Sequence, residues 1–144
     1  MQLSGEFQVS QSREAVLSYL RDVSSVISTI PEVVSSETVD QGSARVVVKA
    51  GISAIKGKFN ALIKIREVGD EVEITANGSG SSGSISIKAL FSPREENGIT
   101  KVKWNVDMTV GGMIATMGSR VINGAVEKYV NALTESFRRR IEGK

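Results

Sequence analysis

The chain has 144 residues, 40% hydrophobic and 24% charged, and its 18 basic and 16 acidic residues leave a net charge of +2. This length suits one domain with a buried core, and the near-neutral charge does not indicate a nucleic-acid partner. Cysteine and histidine are absent, which excludes disulfides, Cys/His zinc sites and Ser-His-Asp triads. We therefore predict a single domain, residues 1–144, with no cofactor and no metal.

The first strand and two short helices are predicted in the N-terminal 31 residues. Apolar and polar residues alternate over residues 2–9, which is typical of a half-buried strand. Ser10 or Ser12 can cap a helix over residues 12–22, and a second small helix follows it. Pro31 ends that helix, because the residue before a proline avoids the helical region.

Six more strands are predicted between Glu32 and Val110, where the apolar period changes to two. Short turns rich in Gly, Asp and Asn separate them, and strands joined by such turns must be antiparallel. One face of the resulting curved, seven-stranded sheet is apolar and the other is solvated. The predicted bounds are 33–41, 44–51, 55–68, 71–79, 83–93 and 99–110.

One long helix is predicted over residues 111–144. Apolar residues recur at steps of three and four from Ile114 to Ile141, which gives the helix one broad apolar face. Gly118 and Gly124 in its first half have no side chain, so this half is expected to approach the sheet closely or to leave room for a ligand. The second half, from Tyr129 to Ile141, is expected to pack tightly against the sheet.

The candidate site is an apolar space between this helix and the sheet. Aromatic residues are few, with one Trp, four Phe and two Tyr, and many inward positions carry small residues, so the sheet is liable to leave a cavity. Plain core packing remains the alternative. Trp104 is the strongest candidate, as a pocket wall or a core anchor. The candidate ligand-binding residues are Phe59, Ile63, Ile74, Ile87, Phe91, Trp104 and Met108 in strands, and Met113, Met117, Val121 and Ala125 in the helix.

No targeting signal is evident. The N-terminal residues MQLSGEFQVSQSRE contain no basic stretch followed by an apolar one, and no window of about 18 apolar residues occurs. We therefore expect a cytoplasmic protein without a membrane span.

The order strand, two small helices, six strands and a long helix resembles the helix-grip fold of the START and birch-pollen-allergen (SRPBCC) superfamily. The stretches GEFQVSQSREAVLSYLRDV, KAGISAIKGKFNALIKI, GSGSSGSISIKALFSP and GITKVKWNVDMTVGGMIATMGSRVINGAV resemble the CoxG family of carbon monoxide dehydrogenase proteins. Residues 109–124 are the most specific part. The resemblance covers essentially the whole chain and implies an α+β helix-grip fold.

The resemblance also implies a function. Such proteins are non-enzymatic carriers that hold a hydrophobic, quinone-like or lipid-like molecule and serve a molybdenum-containing dehydrogenase. Two positions depart from the pattern: Leu17 stands where tryptophan is common, and Glu32 where glycine is common. Relatives that anchor to membranes do so through a C-terminal extension that this sequence lacks, so we expect at most peripheral membrane contact.

Two other functions remain open. A cyclase- or hydrolase-type enzyme on this fold would need a carboxylate, Tyr or Lys facing the cavity. The carboxylates fall on outward strand phases or in turns, so no catalytic residue is predicted. Alternatively, a ligand-free interaction module would use a basic convex sheet face against an acidic partner. Its predicted residues are Arg45, Lys49, Lys56, Lys58, Lys64, Arg66, Lys101 and Lys103.

Overall fold

A computed structural model describes residues 1–52 and 55–143. Its seven antiparallel strands form one sheet in the order β1-β7-β6-β5-β4-β3-β2. The predicted fold class is confirmed, with the strands and the two short helices in the expected order. The elements are β1 (Gln2–Val9), α1 (Arg13–Arg21), α2 (Val23–Thr29), β2 (Val33–Asp40), β3 (Ser43–Ile52), β4 (Ile55–Val68), β5 (Glu71–Gly80), β6 (Gly83–Glu96), β7 (Ile99–Gly111), a 3₁₀ helix (Gly112–Met117) and α3 (Ser119–Glu142).

The C-terminal segment is not one continuous helix, which corrects the prediction. Gly118 separates the 3₁₀ helix from α3 and adopts φ +91° and ψ 149°, a conformation open mainly to glycine. The 3₁₀ helix is held on the β5–β6 turn, since the Ile114 N–H donates to the Ser82 carbonyl oxygen at 2.9 Å. At the same place, a Cβ added to Gly112 would lie only 2.8 Å from the Gly83 Cα. The close glycine contact with the sheet is therefore made before the break.

Gly124 does not bring α3 closer to the sheet, contrary to the prediction. It is exposed, and a Cβ added to it would meet no atom within 4 Å. The apolar face of α3 instead carries Ile122, Ala125 and Val126 near its start and Phe137 and Ile141 near its end, all buried.

Two buried clusters lie near opposite ends of α3. We call the first the Phe137 cluster; it joins the end of α3 to α1 and the sheet through Phe7, Val9, Val16, Leu17, Leu20, Val72, Val102, Phe137 and Ile141. We call the second the Ile114 cluster; it joins the 3₁₀ helix and the start of α3 to the sheet through Phe59, Met108, Ile114, Ile122, Ala125 and Val126.

Aromatic contacts fill the Phe137 cluster. The Phe137 ring meets the rings of Phe7 and Tyr19 edge to face, with centroid distances of 5.3 and 5.1 Å, and stacks on Phe91 at 6.3 Å. Such pairs add to the stability gained by burial alone. Ser12 fixes the start of α1 in this region, because its Oγ accepts a hydrogen bond from the Ala15 N–H at 3.1 Å.

Candidate ligand-binding cavity

A cavity of about 300 Å³ lies between α3 and the apolar face of the sheet. This volume is at the lower end of the range of roughly 300–1,000 Å³ seen for small-molecule sites. Strands β3 to β7 supply its floor, and α3 covers it from Ile122 to Phe137. Val26 and Thr29 of α2, with the following Ile30, add a third side. The space thus lies between the two buried clusters.

Small side chains explain why the space stays open. Ala61 of β4 pairs with Gly78 of β5, and Ala76 of β5 pairs with Ile87 of β6. These positions and Ala89 of β6 all line the cavity. Alanine and glycine reach only a short way from the backbone, so the centre of the sheet does not extend to the helix.

Eight of the eleven predicted residues line this cavity. The structure does not test whether they contact a ligand, so their binding role remains a prediction. The eight are Phe59, Ile63, Ile74, Ile87, Phe91, Trp104, Met108 and Ala125.

Met113, Met117 and Val121 do not line the cavity, and here the prediction is wrong. Met113 is 66% exposed and Val121 41% exposed, while Met117 packs against the Ile114 cluster. The break at Gly118 interrupts the helical phase that had placed Met113 and Met117 in one row with Ala125. Val121 lies after the break, in the first turn of α3, and is exposed although Ala125 is buried.

The predicted division into a cavity-covering first half and a tightly packed second half does not hold, because residues of both halves line the cavity, from Ile122 to Phe137. The cavity lies under the middle of α3, where Tyr129, Val130 and Leu133 line it, and not under the segment before Gly118. Of the part of α3 that was expected to pack tightly, only the last turns do so, through Phe137 and Ile141.

Trp104 lines the cavity and depends on a glycine opposite it. It pairs with Gly5 of β1 on one side and with Phe91 of β6 on the other. A Cβ added to Gly5 would lie 2.4 Å from the Trp104 Cζ2 atom, which is closer than atoms can approach. Gly5 therefore gives the indole ring room to lie against β1.

The polar groups in the wall are few. Thr29, Tyr129 and Thr134 carry hydroxyls, and no charged side chain occurs among the described residues of the wall. The Thr29 hydroxyl donates to the Val26 carbonyl oxygen at 2.6 Å. Burial raises the pKa of Tyr129 to about 12. Within the described chain the Tyr129 hydroxyl makes no hydrogen bond, yet no fully buried side-chain oxygen or nitrogen lacks a partner. This hydroxyl therefore borders accessible space.

The outward sheet face carries the predicted basic residues, although they are partly compensated. Glu73 forms ion pairs with Arg66 at 3.0 Å and with Lys88 at 3.7 Å. The Lys56 side chain lies outside the described residues. The other predicted members are exposed: Arg45, Lys49, Lys58, Lys64, Arg66, Lys101 and Lys103.

Two further structural findings concern membranes and metals. No helix in the described ranges is both long and apolar enough to cross a bilayer. Across residues 1–52 and 55–143, Asp and Glu side chains do not gather in groups of three or more that could hold a metal ion.

Residues 5–142 match the family model for CoxG of carbon monoxide dehydrogenase. The chain belongs to the CoxG family. The match spans the cavity, all of α3 and all of the sheet except the first three residues of β1, so the CoxG resemblance predicted from the sequence is confirmed. Among curated proteins, none matches the chain.

Solved structures show the same fold. A conserved protein from Geobacillus kaustophilus is 22% identical, with a TM-score of 0.88 over 98% of this chain and 95% of that one. A START superfamily protein from Mycobacterium smegmatis is 13% identical, with a TM-score of 0.77 over 99% and 97%. Ara h 8.0201 is 14% identical, with a TM-score of 0.64 over 100% and 99%. The predicted helix-grip fold is confirmed, and at these identities the likeness concerns the fold alone.

Proposed function

We propose that this protein is a non-enzymatic carrier that holds a hydrophobic small molecule, quinone-like or lipid-like, between the sheet and α3. The observation that carries the proposal is the apolar cavity between the two buried clusters. Membership of the CoxG family supports an accessory role beside a molybdenum-containing enzyme of carbon monoxide dehydrogenase type. A cytoplasmic location with peripheral membrane contact is part of the same proposal.

The energetics favour an occupied cavity. A ligand that covers the apolar wall removes it from water, which is favourable by roughly 25 cal/mol per Å² of apolar surface covered. A domain has only about 5–15 kcal/mol of net stability. A ligand that fills the space makes van der Waals contacts with the wall, and its binding stabilises the folded state.

Trp104 fluorescence tests the proposal directly, because this is the single tryptophan of the chain and it lines the cavity. Titration with quinones and with lipids should give a saturable change in the wild-type protein. Ala125→Leu should weaken binding at least tenfold, because this 2% exposed alanine faces the cavity. Ala132→Leu is the matched control on the exposed side of the same helix. Equal affinities in the two variants, or no saturable change in the wild type, would contradict the proposal.

The accessory role needs a separate test. The protein would be added to a molybdenum-containing carbon monoxide dehydrogenase and vesicles that contain a quinone. We expect faster CO-dependent quinone reduction with the wild-type protein and with Ala132→Leu, and little acceleration with Ala125→Leu. If the wild type has no effect, the accessory role fails while ligand binding still stands.

The enzymatic alternative requires a carboxylate, Tyr or Lys in the cavity wall, and one such residue is present. Tyr129 faces the cavity, whereas none of the described wall residues is Asp, Glu, Lys or Arg. With its pKa raised to about 12, the phenol keeps its proton at neutral pH and does not serve as a general base. The cavity therefore favours binding over acid–base catalysis.

A further inference from the structure

The cavity wall contains one phenol hydroxyl that the fold leaves unsatisfied. Tyr129 lies on the cavity side of α3, and its hydroxyl makes no hydrogen bond to any described residue. The Thr29 hydroxyl differs, because its hydrogen is already directed to the Val26 carbonyl oxygen at 2.6 Å. The Thr134 hydroxyl and the Trp104 indole N–H also belong to wall residues and likewise make no hydrogen bond to a described residue. Tyr129 is thus one of three donors available to a molecule that enters the cavity.

The chemistry of the ligand decides whether this donor is used. A pure hydrocarbon would displace water from the Tyr129 hydroxyl and offer nothing in return, which is unfavourable for a buried polar group. A carbonyl or hydroxyl oxygen on the ligand would accept the hydrogen bond instead. A site that hydrogen-bonds one ligand atom discriminates against analogues that lack it.

The wall also disfavours charge. No Lys or Arg in the described part of the wall could pair with a ligand carboxylate, and burying an unpaired anion is costly. The raised pKa of Tyr129 reports the same property, because burial opposes negative charge on this hydroxyl.

We propose that Tyr129 is the polar anchor of the cavity and that it selects neutral ligands carrying a hydrogen-bond-accepting oxygen over hydrocarbons and over carboxylates. This inference rests on the carrier function proposed above and specifies the class of molecule carried. It assigns a specificity-determining role to a residue of α3.

Three probes of similar size separate the effects of a hydrogen-bond acceptor and of charge on binding affinity. They are 2-acetylnaphthalene as the neutral ketone, 2-ethylnaphthalene as the hydrocarbon and 2-naphthoate as the anion. Dissociation constants would be measured by calorimetry with the whole protein. The informative quantity is the affinity for the ketone relative to the hydrocarbon, because the hydrophobic contribution of the shared ring system largely cancels in this ratio.

Tyr129→Phe removes the hydroxyl and keeps the ring. We expect it to lower the relative ketone affinity on the order of fivefold, the effect of one hydrogen bond. Tyr19→Phe is the matched control, because the Tyr19 hydroxyl bonds to Ser28 Oγ at 3.2 Å and does not line the cavity. That variant should leave the ratio unchanged. Thermal unfolding checks that both variants fold.

The outcomes distinguish the inference from the carrier function. If the probes bind but the ratio is the same in Tyr129→Phe and wild type, the role of Tyr129 is overturned and the carrier function stands. Binding of 2-naphthoate as tight as that of the ketone, at a pH above the pKa of its carboxyl group, would overturn the selection for neutral ligands. If the wild-type protein binds none of the three, the inference fails, and the Trp104 titration with quinones and lipids decides separately whether the carrier function stands.

Discussion

Two parts of the space between α3 and the sheet differ in how they are filled. At the end of α3, Phe137 packs against the rings of Phe7, Tyr19 and Phe91 and closes one end of the cavity. Under the middle of α3, the sheet presents small residues such as Ala76 and leaves about 300 Å³. The same helix and the same sheet bound both parts. The size of the inward side chains therefore decides where this fold is solid and where it is hollow.

The largest expected effect comes from damaging the solid part. Leu17 of the Phe137 cluster is 3% exposed and does not line the cavity. Leu17→Ala should lower the free energy of unfolding by about 2–5 kcal/mol, since it removes packed atoms and leaves a void. Denaturant unfolding measures the change. Val121→Ala, at a position that is 41% exposed, should change it by less than about 0.5 kcal/mol. Similar effects at the two positions would contradict the description of the Phe137 cluster as tightly packed.

Enlarging a side chain should distinguish the two parts more sharply. Ala44 of β3 is fully buried outside the cavity, whereas Ala89 of β6, 8% exposed, lines it. Ala44→Leu should destabilise the protein by about 1–3 kcal/mol through overpacking. Ala89→Leu should cost much less or stabilise the protein, because its new atoms enter empty space. Chemical denaturation of both variants tests this, and an equal loss would mean that the cavity is not open.

Replacing Gly118 and Gly124 by alanine should change the stability of the protein in opposite directions. Gly118, at φ +91° and ψ 149°, lies in a region that other residues avoid, so Gly118→Ala should cost about 1–3 kcal/mol. Gly124 lies on the exposed side of α3, so Gly124→Ala should stabilise the protein by up to about 1 kcal/mol. Thermal unfolding gives both signs. A stabilising Gly118→Ala would show that α3 continues through this position.

An effect confined to alkaline pH is expected from Tyr129. The pKa of Tyr129 is about 12 in the folded protein against 10.0 for the free side chain. The unfolded chain therefore releases this proton first, and the contribution of Tyr129 to stability is lost as pH rises from 10 towards 12. Below pH 10 Tyr129 is protonated in both states, so its contribution to stability is fully present and does not change with pH. Unfolding free energies of wild type and Tyr129→Phe should diverge only in that alkaline window; a constant difference would show that the hydroxyl is not desolvated.

The sequence was sufficient to predict the sheet because each strand shows a period of two and each turn is short. Gly118 was misinterpreted because the apolar spacing continues through it, and spacing alone does not reveal a positive φ. Met113 and Met117 were misplaced for the same reason. Tyr129 could have been found, since it lies four residues after Ala125 on the same helix row. The contribution of Thr29 could not, because it depends on how α2 packs against α3.

A crystal structure of the protein with 2-acetylnaphthalene would show whether the cavity holds a ligand. The expected result is ligand density between α3 and the sheet, next to Ala89 and Ala125, with the ketone oxygen within hydrogen-bond distance of the Tyr129 hydroxyl. A collapsed cavity, or a ligand bound only on the outer surface, would contradict it.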